Sequence, residues 1–427
     1  MSRPPGAEFT ALVGATCSAR GLIASEDVVL AALSGGADST ALVGALSELR
    51  DAGRIRSVRA LHVDHGLRRG VERDREACER TCAALGVPLR CVRVEVGRGN
   101  VQQEARRARY AALREEADRV GATRIATGHT QDDQAETVLL RLLRGAGARG
   151  LSGIPPRRGR IVRPLIDRSR AEVMAFLAAR GLSHVEDPTN GTPRFQRNRL
   201  RREALPALRA LAPRVDRAIA RTADLLRDDE RALAARAREA AAGGEARGET
   251  LLAEPVAVRR RAVRELWRQA TGSRRGLDAA HVERVLALLG RRGPGRAPLP
   301  GGREAVLRYG ALSIRARTSP AAPPEPVSIP RPGRYPLPGG EVLEVEAEGD
   351  DAVAWPLSLR GRMPGDRFRP AGGRGSKKLK AWLIDRKVPR EDRDGLRVLA
   401  DAEGWVLWIP ALGVRAGKPS VRARLRR

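Results

Sequence analysis

The sequence predicts an α/β fold, in which a doubly wound parallel sheet is followed by a helical middle domain and a small α+β C-terminal domain. Three observations support this prediction. Apolar segments alternate with segments of helical periodicity over residues 28–143, Ala-, Leu- and Arg-rich stretches follow Pro206, and alternating segments return after a proline-rich stretch at 320–332. Strands that alternate with helices are typical of a parallel sheet with helices on both faces.

The first region is predicted to hold four strand–helix units. The run from Val28 to Leu33 is continuously apolar, as expected for a strand buried on both faces. Leu42, Val43, Leu46 and Leu49 then recur at helical spacing. The later strands are predicted at 58–63, 92–96 and 124–127, and the later helices at 71–85, 104–120 and 132–143.

Beyond this region, residues 207–242 and 254–290 are predicted to be helical, with Gly243 and Gly244 between them. Residues 291–302 are rich in Gly and Pro and are expected to form a loop. The strands of the last domain are expected at 342–348 and 405–409.

Four parts of the chain are therefore expected. They are an N-terminal extension (1–25), the domain with the parallel sheet (26–205), the helical middle domain (206–320) and the α+β C-terminal domain (321–427). Within the extension, the uncharged stretch from Phe9 to Ala19 is interpreted as part of a helix rather than as a signal peptide, because it is short and interrupted by polar residues.

Composition excludes several classes of protein. A hydrophobic fraction of 42% argues against wholesale disorder, and no apolar run approaches the roughly 20 residues that a membrane span needs. The four cysteines are too few for a disulfide scaffold, which favours the reducing cytoplasm.

The net charge indicates a polyanionic partner. The chain has 80 Lys and Arg against 51 Asp and Glu, a formal charge of +29, and nucleic acid is the commonest partner of such a protein. A compositional bias towards Arg is the alternative explanation. A local cluster goes beyond that bias and predicts a site for a nucleic-acid backbone. It consists of Lys377, Lys378, Lys380 and Lys387, with Arg369, Arg374, Arg386 and Arg390.

A glycine-rich turn joins the first strand to the first helix. Its residues are Ser34, Gly35, Gly36, Ala37, Asp38 and Ser39. Glycines allow close approach of a phosphate, and the helix N-terminus offers free N–H groups and a positive dipole end. Asp38 would repel phosphate unless it holds Mg²⁺ bridging to it. The turn matches neither the P-loop nor the dinucleotide-binding pattern, and the alternative is an ordinary turn in which Ser and Asp cap the helix.

A second group of polar residues follows the strand predicted at 124–127. His129, Asp133 and Glu136 have the spacing of one helix face, and ligands of open parallel sheets bind at this end of the strands. The alternative is structural, because Thr130 can cap the helix while Asp132 and Asp133 interact with its dipole.

Further motifs connect the chain to a known family. They lie at residues 62–68, 104–110, 128–137, 144–147, 163–165, 187–190 and 197–201. The turn at 34–39 resembles the PP-loop of N-type ATP pyrophosphatases, and the ordered set of motifs resembles that of the tRNA(Ile)-lysidine synthases. Residues 364–368 and 377–380 resemble the C-terminal domain of that family, whereas 207–320 share only its helical character.

The resemblance implies a Rossmann-like PP-loop ATPase fold and a ligase activity. Such an enzyme attaches free L-lysine to C2 of the wobble cytidine of tRNA(Ile) with a CAU anticodon, through an adenylated cytidine. ATP is converted to AMP and pyrophosphate with Mg²⁺, and the product, lysidine, changes codon recognition from AUG to AUA. Homodimerisation stays open.

The resemblance also implies roles for particular residues. Arg109 and His129 are expected to act on the adenylation transition state, and Asp38 to be catalytic through its metal. Asp133 and Glu136 are expected to hold the ammonium groups of lysine, which two carboxylates suit. Some arginines of the run Arg194, Arg197, Arg199, Arg201 and Arg202 are expected to meet ATP phosphates or the tRNA, or else to form a solvated basic helix; Arg201 is the one assigned to substrate. Lys377, Lys378 and Lys380 are expected to bind the tRNA.

Three alternatives remain at this stage. Another PP-loop amidotransferase or synthetase would share only residues 34–39. A tRNA thiolase is disfavoured because its iron–sulfur cluster needs a C-x-x-C motif, whereas Cys78 and Cys82 are expected to be buried side chains. A non-catalytic RNA-binding module explains the charge but not the turn. His62 and His65, as a lone H-x-x-H, are weak evidence for zinc and are expected to support the wall of the nucleotide pocket.

Overall fold

The computed structural model describes most of the chain in two compact units. The described residues are 5–66, 71–95, 97, 99, 101–185, 196–291, 293–317, 325–338, 340–347, 353–369, 375–386, 388, 393, 395–416 and 421–426. One unit comprises residues 1–242 with 250–265, and the other 243–249 with 266–427. These units do not coincide with the four parts expected from the sequence, which stay a prediction.

Several sequence motifs lie outside the described residues. They are residues 67–68 of the motif at 62–68, the segment 187–190, the linker residues 320–324, and the basic residues Arg194, Arg374, Lys387 and Arg390. No helix in the described part of the chain is long and apolar enough to cross a membrane.

The first unit contains a six-stranded sheet and most of the helices. Its strands are β1 (Val28–Ala32), β2 (Ser57–Asp64), β3 (Leu89–Arg93), β4 (Arg124–Ala126), β5 (Arg157–Arg158) and β6 (Ile161–Val162). Its helices, up to the end of the first segment, are α1 (Pro5–Ala19), α2 (Ala37–Asp51), α3 (Val71–Ala84), α4 (Val101–Arg119), α5 (Gln131–Leu142), α6 (Ala148–Leu151), α7 (Arg170–Arg180), α8 (Gln196–Arg199), α9 (Leu205–Leu211) and α10 (Val215–Ala240), with a π-helical turn at Leu200–Ala204.

The strand order is β3-β2-β1-β4-β6-β5, and all pairs are parallel except β5 with β6. The predicted parallel sheet is confirmed. The chain winds outwards from β1 to β3 and then returns to place β4 on the other side of β1. Such a reversal separates the loops that follow the two strands, and the crevice between them is where open α/β sheets bind ligands.

Apolar side chains on both faces of the sheet form its cores. Leu30 and Ile125 are fully buried on one face, whereas Val29 packs on the other with Leu42 of α2. The third predicted strand was misplaced: alternation indicated 92–96, but β3 begins at Leu89, opposite Ala60 of β2. The position of β3 is fixed by its pairing with β2, and a short alternation of apolar residues does not specify such a pairing.

The N-terminal stretch belongs to the same core. The helix predicted there is confirmed as α1, and its Phe9 ring stacks on Phe176 of α7 with centroids 4.5 Å apart. Val13 and Leu22 are completely buried. Residues 5–19 are thus packed into the first unit rather than extending from it.

The remaining helices are α11 (Gly248–Ala253), α12 (Val256–Thr271), α13 (Ala279–Leu289) and α14 (Leu379–Asp385). The other strands are β7 (Glu245–Arg247), β8 (Gly295–Leu299), β9 (Arg303–Arg308), β10 (Ala311–Ala316), β11 (Val327–Ile329), β12 (Gly333–Pro336), β13 (Val342–Ala347), β14 (Leu357–Gly361), β15 (Arg367–Phe368), β16 (Lys377–Lys378), β17 (Arg397–Ala400), β18 (Trp405–Ile409), β19 (Val414–Arg415) and β20 (Val421–Arg426). Short 3₁₀ turns lie at Ala242–Gly244 and Pro410–Leu412.

The prediction of a loop at 291–302 is wrong. Residues Gly295–Leu299 form β8, the edge strand of an antiparallel sheet ordered β7-β10-β9-β8. The Gly and Pro content concealed this strand, although an edge position tolerates Pro298, and Ala297 and Leu299 alternate as buried residues. The middle region is therefore helical with a small sheet added.

The C-terminal residues form the predicted small α+β domain. One sheet has the order β11-β14-β17-β18-β15-β16 with β19 beside β18, and a second has the order β12-β13-β20. The strands predicted at 342–348 and 405–409 correspond to β13 and β18. Helix α14 packs Trp382 edge-on against Phe368 of β15, with ring centroids 4.9 Å apart.

Candidate active site

The turn at 34–39 is a closed loop held by its own hydrogen bonds. Ser39 Oγ donates to the carbonyl oxygen of Gly36 over 2.9 Å and accepts from the Ser34 amide over 3.1 Å. Gly35 has a φ of 82°, which favours glycine, and a Cβ there would lie 3.2 Å from the carbonyl oxygen of Asp74. Helix α2 begins with Gly36 as its N-cap and has no side-chain cap. The alternative of an ordinary turn capped by Ser or Asp therefore loses its main support.

Asp38 lies in the first turn of α2 and forms an ion pair. Its Oδ1 accepts a hydrogen bond from Arg170 over 2.6 Å. Burial raises the pKa of Asp38, while the positive charge of Arg170 opposes that rise. The charges of Asp133 and Arg201 also act on this carboxyl group, so the end of α5 lies close to the loop. Arg170 starts α7, and no motif in the sequence singled it out.

Helix α5 begins where the sequence predicted a cap. Thr130 is the N-cap, and the Asp133 side chain completes a capping box by accepting from the Thr130 amide over 2.9 Å. His129 precedes the helix, so the prediction that it shares a helix face with Asp133 and Glu136 is wrong. Instead, Nδ1 of His129 lies 3.0 Å from Oγ1 of Thr127. The helical spacing therefore holds for Asp133 and Glu136, but the backbone at His129 and Thr130 is not helical.

The two carboxylates of α5 are engaged by arginines. Arg197 contacts Asp133 and Glu136, each over 2.6 Å, and Arg201 contacts the other oxygen of Glu136 over 2.5 Å. Glu136 is 0% exposed, so its charge depends on these two partners. The two carboxylates of α5 thus already hold two guanidinium groups from the segment that follows α7, and any further cation at this position would have to displace one of them.

His129 lies beside the phosphate loop in a strongly positive environment. A Cβ on Gly128 would lie 2.9 Å from the carbonyl oxygen of Asp38, so the backbone before His129 is in close contact with the loop. Burial and then the positive charges of Arg163, Arg106, Arg109 and Arg197 lower the pKa of His129 to about 3. This histidine is therefore neutral at physiological pH.

The lowered pKa predicts a titration that NMR can follow. Because protonation of His129 is opposed by burial and by cations, the imidazole should stay neutral as the pH falls from about 8 to about 5, through the usual value near 6.5. Histidine ¹³C shifts of the protein without added ligand measure this, with His129→Gln to assign the resonance. A midpoint near 6.5 for that resonance would contradict the prediction.

His62 is buried and contacts the backbone just before the turn at 34–39. Its expected role in the wall of a nucleotide pocket stays a prediction. Its Nδ1 lies 3.1 Å from the carbonyl oxygen of Leu33 and 3.4 Å from Sγ of Cys78. Burial raises the pKa of Cys78 and of Cys82 to about 12, which makes them inert buried thiols. Among the described residues no group of three or more His, Cys, Asp and Glu side chains could hold a metal ion.

Comparison with known proteins extends over nearly the whole chain. The protein is 40% identical to the tRNA(Ile)-lysidine synthase of Symbiobacterium thermophilum, over 92% of this chain and 91% of that one. The chain belongs to the tRNA(Ile)-lysidine synthase family. The synthases of Solibacter usitatus and Geobacter sulfurreducens are 37% and 36% identical, over 93% of this chain and 97% and 91% of theirs.

Three family models match separate parts of the chain. The PP-loop domain matches residues 12–208, the TilS substrate binding domain 249–313 and the TilS substrate C-terminal domain 357–425. The first match begins inside α1, in accordance with the burial of that helix. The resemblance of the two ends of the chain is thereby confirmed, and the middle region matches as well.

The C-terminal basic cluster of this synthase-family chain is partly described. Lys377, Lys378 and Lys380 are exposed, and within the described part of the chain only Lys377 of the three forms an ion pair, with Asp385 over 3.2 Å. Arg369, which follows β15 directly, lies over the ring of Trp405 at 4.7 Å from its centroid. Exposed cations beside an aromatic ring are suited to a nucleic-acid backbone and to a stacked base.

Sequence reasoning overlooked two arginines of this site. Arg170 contacts Asp38, and Arg163 follows β6 and acts on His129. Arg163 lies in the motif at residues 163–165, but the sequence indicated no role for it. Its position immediately after a parallel strand was the signal that could have indicated it.

Proposed function

We propose that this chain is the ligase that attaches lysine to C2 of the wobble cytidine of a CAU-anticodon tRNA(Ile), using ATP and releasing AMP and pyrophosphate. The observation that carries the proposal is the turn at 34–39, which is closed by its own hydrogen bonds and follows β1, the strand at which the strand order reverses. The chain that contains it matches the family over nine-tenths of its length. The product, lysidine, changes codon recognition from AUG to AUA.

ATP is proposed to bind with its pyrophosphate end on Ser34, Gly35, Gly36, Ala37 and Ser39. The N-terminus of α2 is free of a side-chain cap there, which supports an anion in that position. Asp38 would hold Mg²⁺ once Arg170 moves aside, since Mg²⁺ in proteins is commonly bound by one or two carboxylates together with substrate phosphates. The ion would supply charge neutralisation at the phosphate oxygens.

Adenylation is the first chemical step. The C2 oxygen of cytidine forms a bond to the α-phosphorus of ATP, and the bond to pyrophosphate breaks. Negative charge on the transferred phosphate is stabilised by Arg109 and by the neutral imidazole of His129. The 3.0 Å contact with Thr127 orients that imidazole. The target base must leave the anticodon stack to reach these groups, which an RNA loop allows.

Lysine transfer is the second step. The ε-ammonium of lysine gives up one proton to water, and the resulting amine forms the bond to C2. AMP leaves with the former C2 oxygen, and the new C–N nitrogen releases a further proton to water. Asp133 and Glu136 are proposed to hold the ammonium groups of lysine, and their present pairing with Arg197 and Arg201 supports a site built for cations. Arg201 then becomes free to contact substrate.

Lys377, Lys378 and Lys380 are proposed to bind the tRNA. Phosphate contacts of this kind position an RNA without reading its sequence. Cytoplasmic localisation and homodimerisation stay predictions from the sequence.

The test uses the full-length protein with ATP, Mg²⁺, free lysine and a CAU-anticodon tRNA(Ile) transcript. We expect tRNA-dependent formation of AMP and pyrophosphate, and lysidine in the nucleosides analysed by mass spectrometry. Omitting lysine is the matched control, because adenylation precedes lysine attack and lysidine must then be absent. A non-catalytic RNA-binding module would bind the tRNA and release no AMP, which would refute the proposal.

A further inference from the structure

Three arginines whose charges act on His129 have no carboxylate partner among the described residues. Arg106, Arg109 and Arg163 each lower the pKa of His129 through their positive charge, and none of them forms an ion pair with a described residue. We call these three residues the arginine cluster. Its charge contrasts with Arg197 and Arg170, which are neutralised by Asp133, Glu136 and Asp38.

Tyr110 lies at the centre of the arginine cluster. The guanidinium carbons of Arg106 and Arg109 lie 5.2 Å and 5.5 Å from the centroid of its ring. The Tyr110 hydroxyl lies close to the guanidinium groups of Arg109 and Arg163. Nε of Arg163 is buried and has no hydrogen-bond partner among the described residues. Buried polar atoms without partners are rare in native proteins and indicate an absent ligand or water.

Arg163 is fixed more rigidly than the other two members. It is 4% exposed, its amide donates to the carbonyl of Pro156 over 3.0 Å, and one guanidinium nitrogen donates to the carbonyl of Pro155 over 2.6 Å. Burial lowers its pKa, so the charge is held at an energetic cost. A cation kept in this way, without a carboxylate, is preorganised for an anionic ligand.

The backbone connects Arg163 directly to the catalytic histidine. Strands β4 and β6 are paired, and the Thr127 amide donates to the carbonyl of Val162 over 3.0 Å. Thr127 also contacts His129, so Arg163 and His129 follow paired strands at one edge of the sheet. The close contact of Gly128 with Asp38 places this edge beside the phosphate loop.

We propose that the arginine cluster binds the α-phosphate of the nucleotide, and that Arg163 contacts it directly. The inference rests on the proposed function, in which the loop at 34–39 takes the pyrophosphate end of ATP. The next phosphate along the nucleotide then lies towards His129. Tyr110 is a positioning residue that holds the guanidiniums around that phosphate.

The experiment measures binding of AMP and of adenosine to the full-length protein by calorimetry. Arg163→Met removes the charge and keeps much of the side-chain volume. We expect the Kd of AMP to rise about tenfold or more, since hydrogen bonds to charged groups are among the stronger ones, while the Kd of adenosine stays within about twofold. Arg163→Lys keeps the positive charge but loses the planar set of guanidinium N–H donors, so it should give an intermediate Kd for AMP.

Arg141→Met is the matched control. Arg141 also donates to backbone carbonyls, those of Gly150 and Gly153 over 2.7 Å and 2.9 Å, and burial lowers its pKa, but it has no part in the arginine cluster. This variant should leave both Kd values unchanged.

Two outcomes would overturn the inference. Equal weakening of AMP and adenosine by Arg163→Met would show a purely structural role. Unchanged AMP binding with weaker tRNA binding would show that the cluster takes an RNA phosphate instead. Because AMP binding is read without turnover, a wild-type protein that makes no lysidine would refute the proposed function and leave this test intact. If Arg163→Met does not fold, Arg163→Lys decides by the same comparison.

Discussion

Replacing Asp38 with asparagine is expected to lower tRNA-dependent ATP–pyrophosphate exchange by about 100-fold or more. The amide keeps the size of the side chain but cannot neutralise a divalent cation at the phosphates. Arg170, which donates to Asp38 over 2.6 Å, would lose its partner in the same variant. Exchange measured at several Mg²⁺ concentrations is the appropriate assay, because a loss of metal affinity would be partly recovered at high Mg²⁺.

Two further variants separate the metal role from the ion pair. Asp51→Asn lies at the other end of the same helix, where Asp51 pairs with Arg50, and should leave exchange unchanged. Arg170→Gln frees Asp38 from its competitor, so half-maximal activity should require the same or less Mg²⁺. Should Arg170→Gln reduce exchange as strongly as Asp38→Asn, Asp38 would serve only as the partner of Arg170.

A large effect on lysine use is expected for Glu136→Gln. Glu136 is completely buried and holds Arg197 and Arg201, so removal of its charge weakens the only fully enclosed carboxylate of the proposed lysine site. We expect the KM for lysine to rise about tenfold or more, since a hydrogen bond to a charged group is worth on the order of 1.5–3 kcal/mol. ATP–pyrophosphate exchange should persist, because it precedes lysine attack.

Glu48→Gln is the matched control for that variant. Glu48 also binds an arginine and a second donor, Arg180 over 2.6 Å and Thr10 over 2.7 Å, but it lies on α2 away from α5. Thermal unfolding compares the two variants directly, because both weaken contacts with arginine. Only Glu136→Gln should change the KM for lysine. An unchanged KM in a folded Glu136→Gln protein would exclude Glu136 from the lysine site.

Sequence reasoning located the phosphate loop and α5 because their determinants are local. An apolar run, two glycines and a helix start lie within twelve residues, and Thr130 with Asp133 forms a cap within four. It misplaced β3 and overlooked β8, since strand pairing is a long-range property and a short alternation or a Gly-Pro content does not specify it.

The sequence did not indicate which charged residues form ion pairs. Asp38 and Arg170 are separated by 132 residues, and Glu136 and Arg201 by 65. The packing of α7 on α2, and of α8 and the π-helical turn on α5, brings these charges together.

By itself, the sequence determined that the chain has a nucleotide-binding loop, a parallel sheet and a strong positive charge, because short-range backbone preferences and composition specify these. The tertiary structure alone decided which arginines are neutralised and which are not. Arg197 and Arg170 meet carboxylates, whereas Arg106, Arg109 and Arg163 meet none among the described residues. Coulomb energies depend on distance in space rather than on distance along the chain, so this division could not be predicted from residue types.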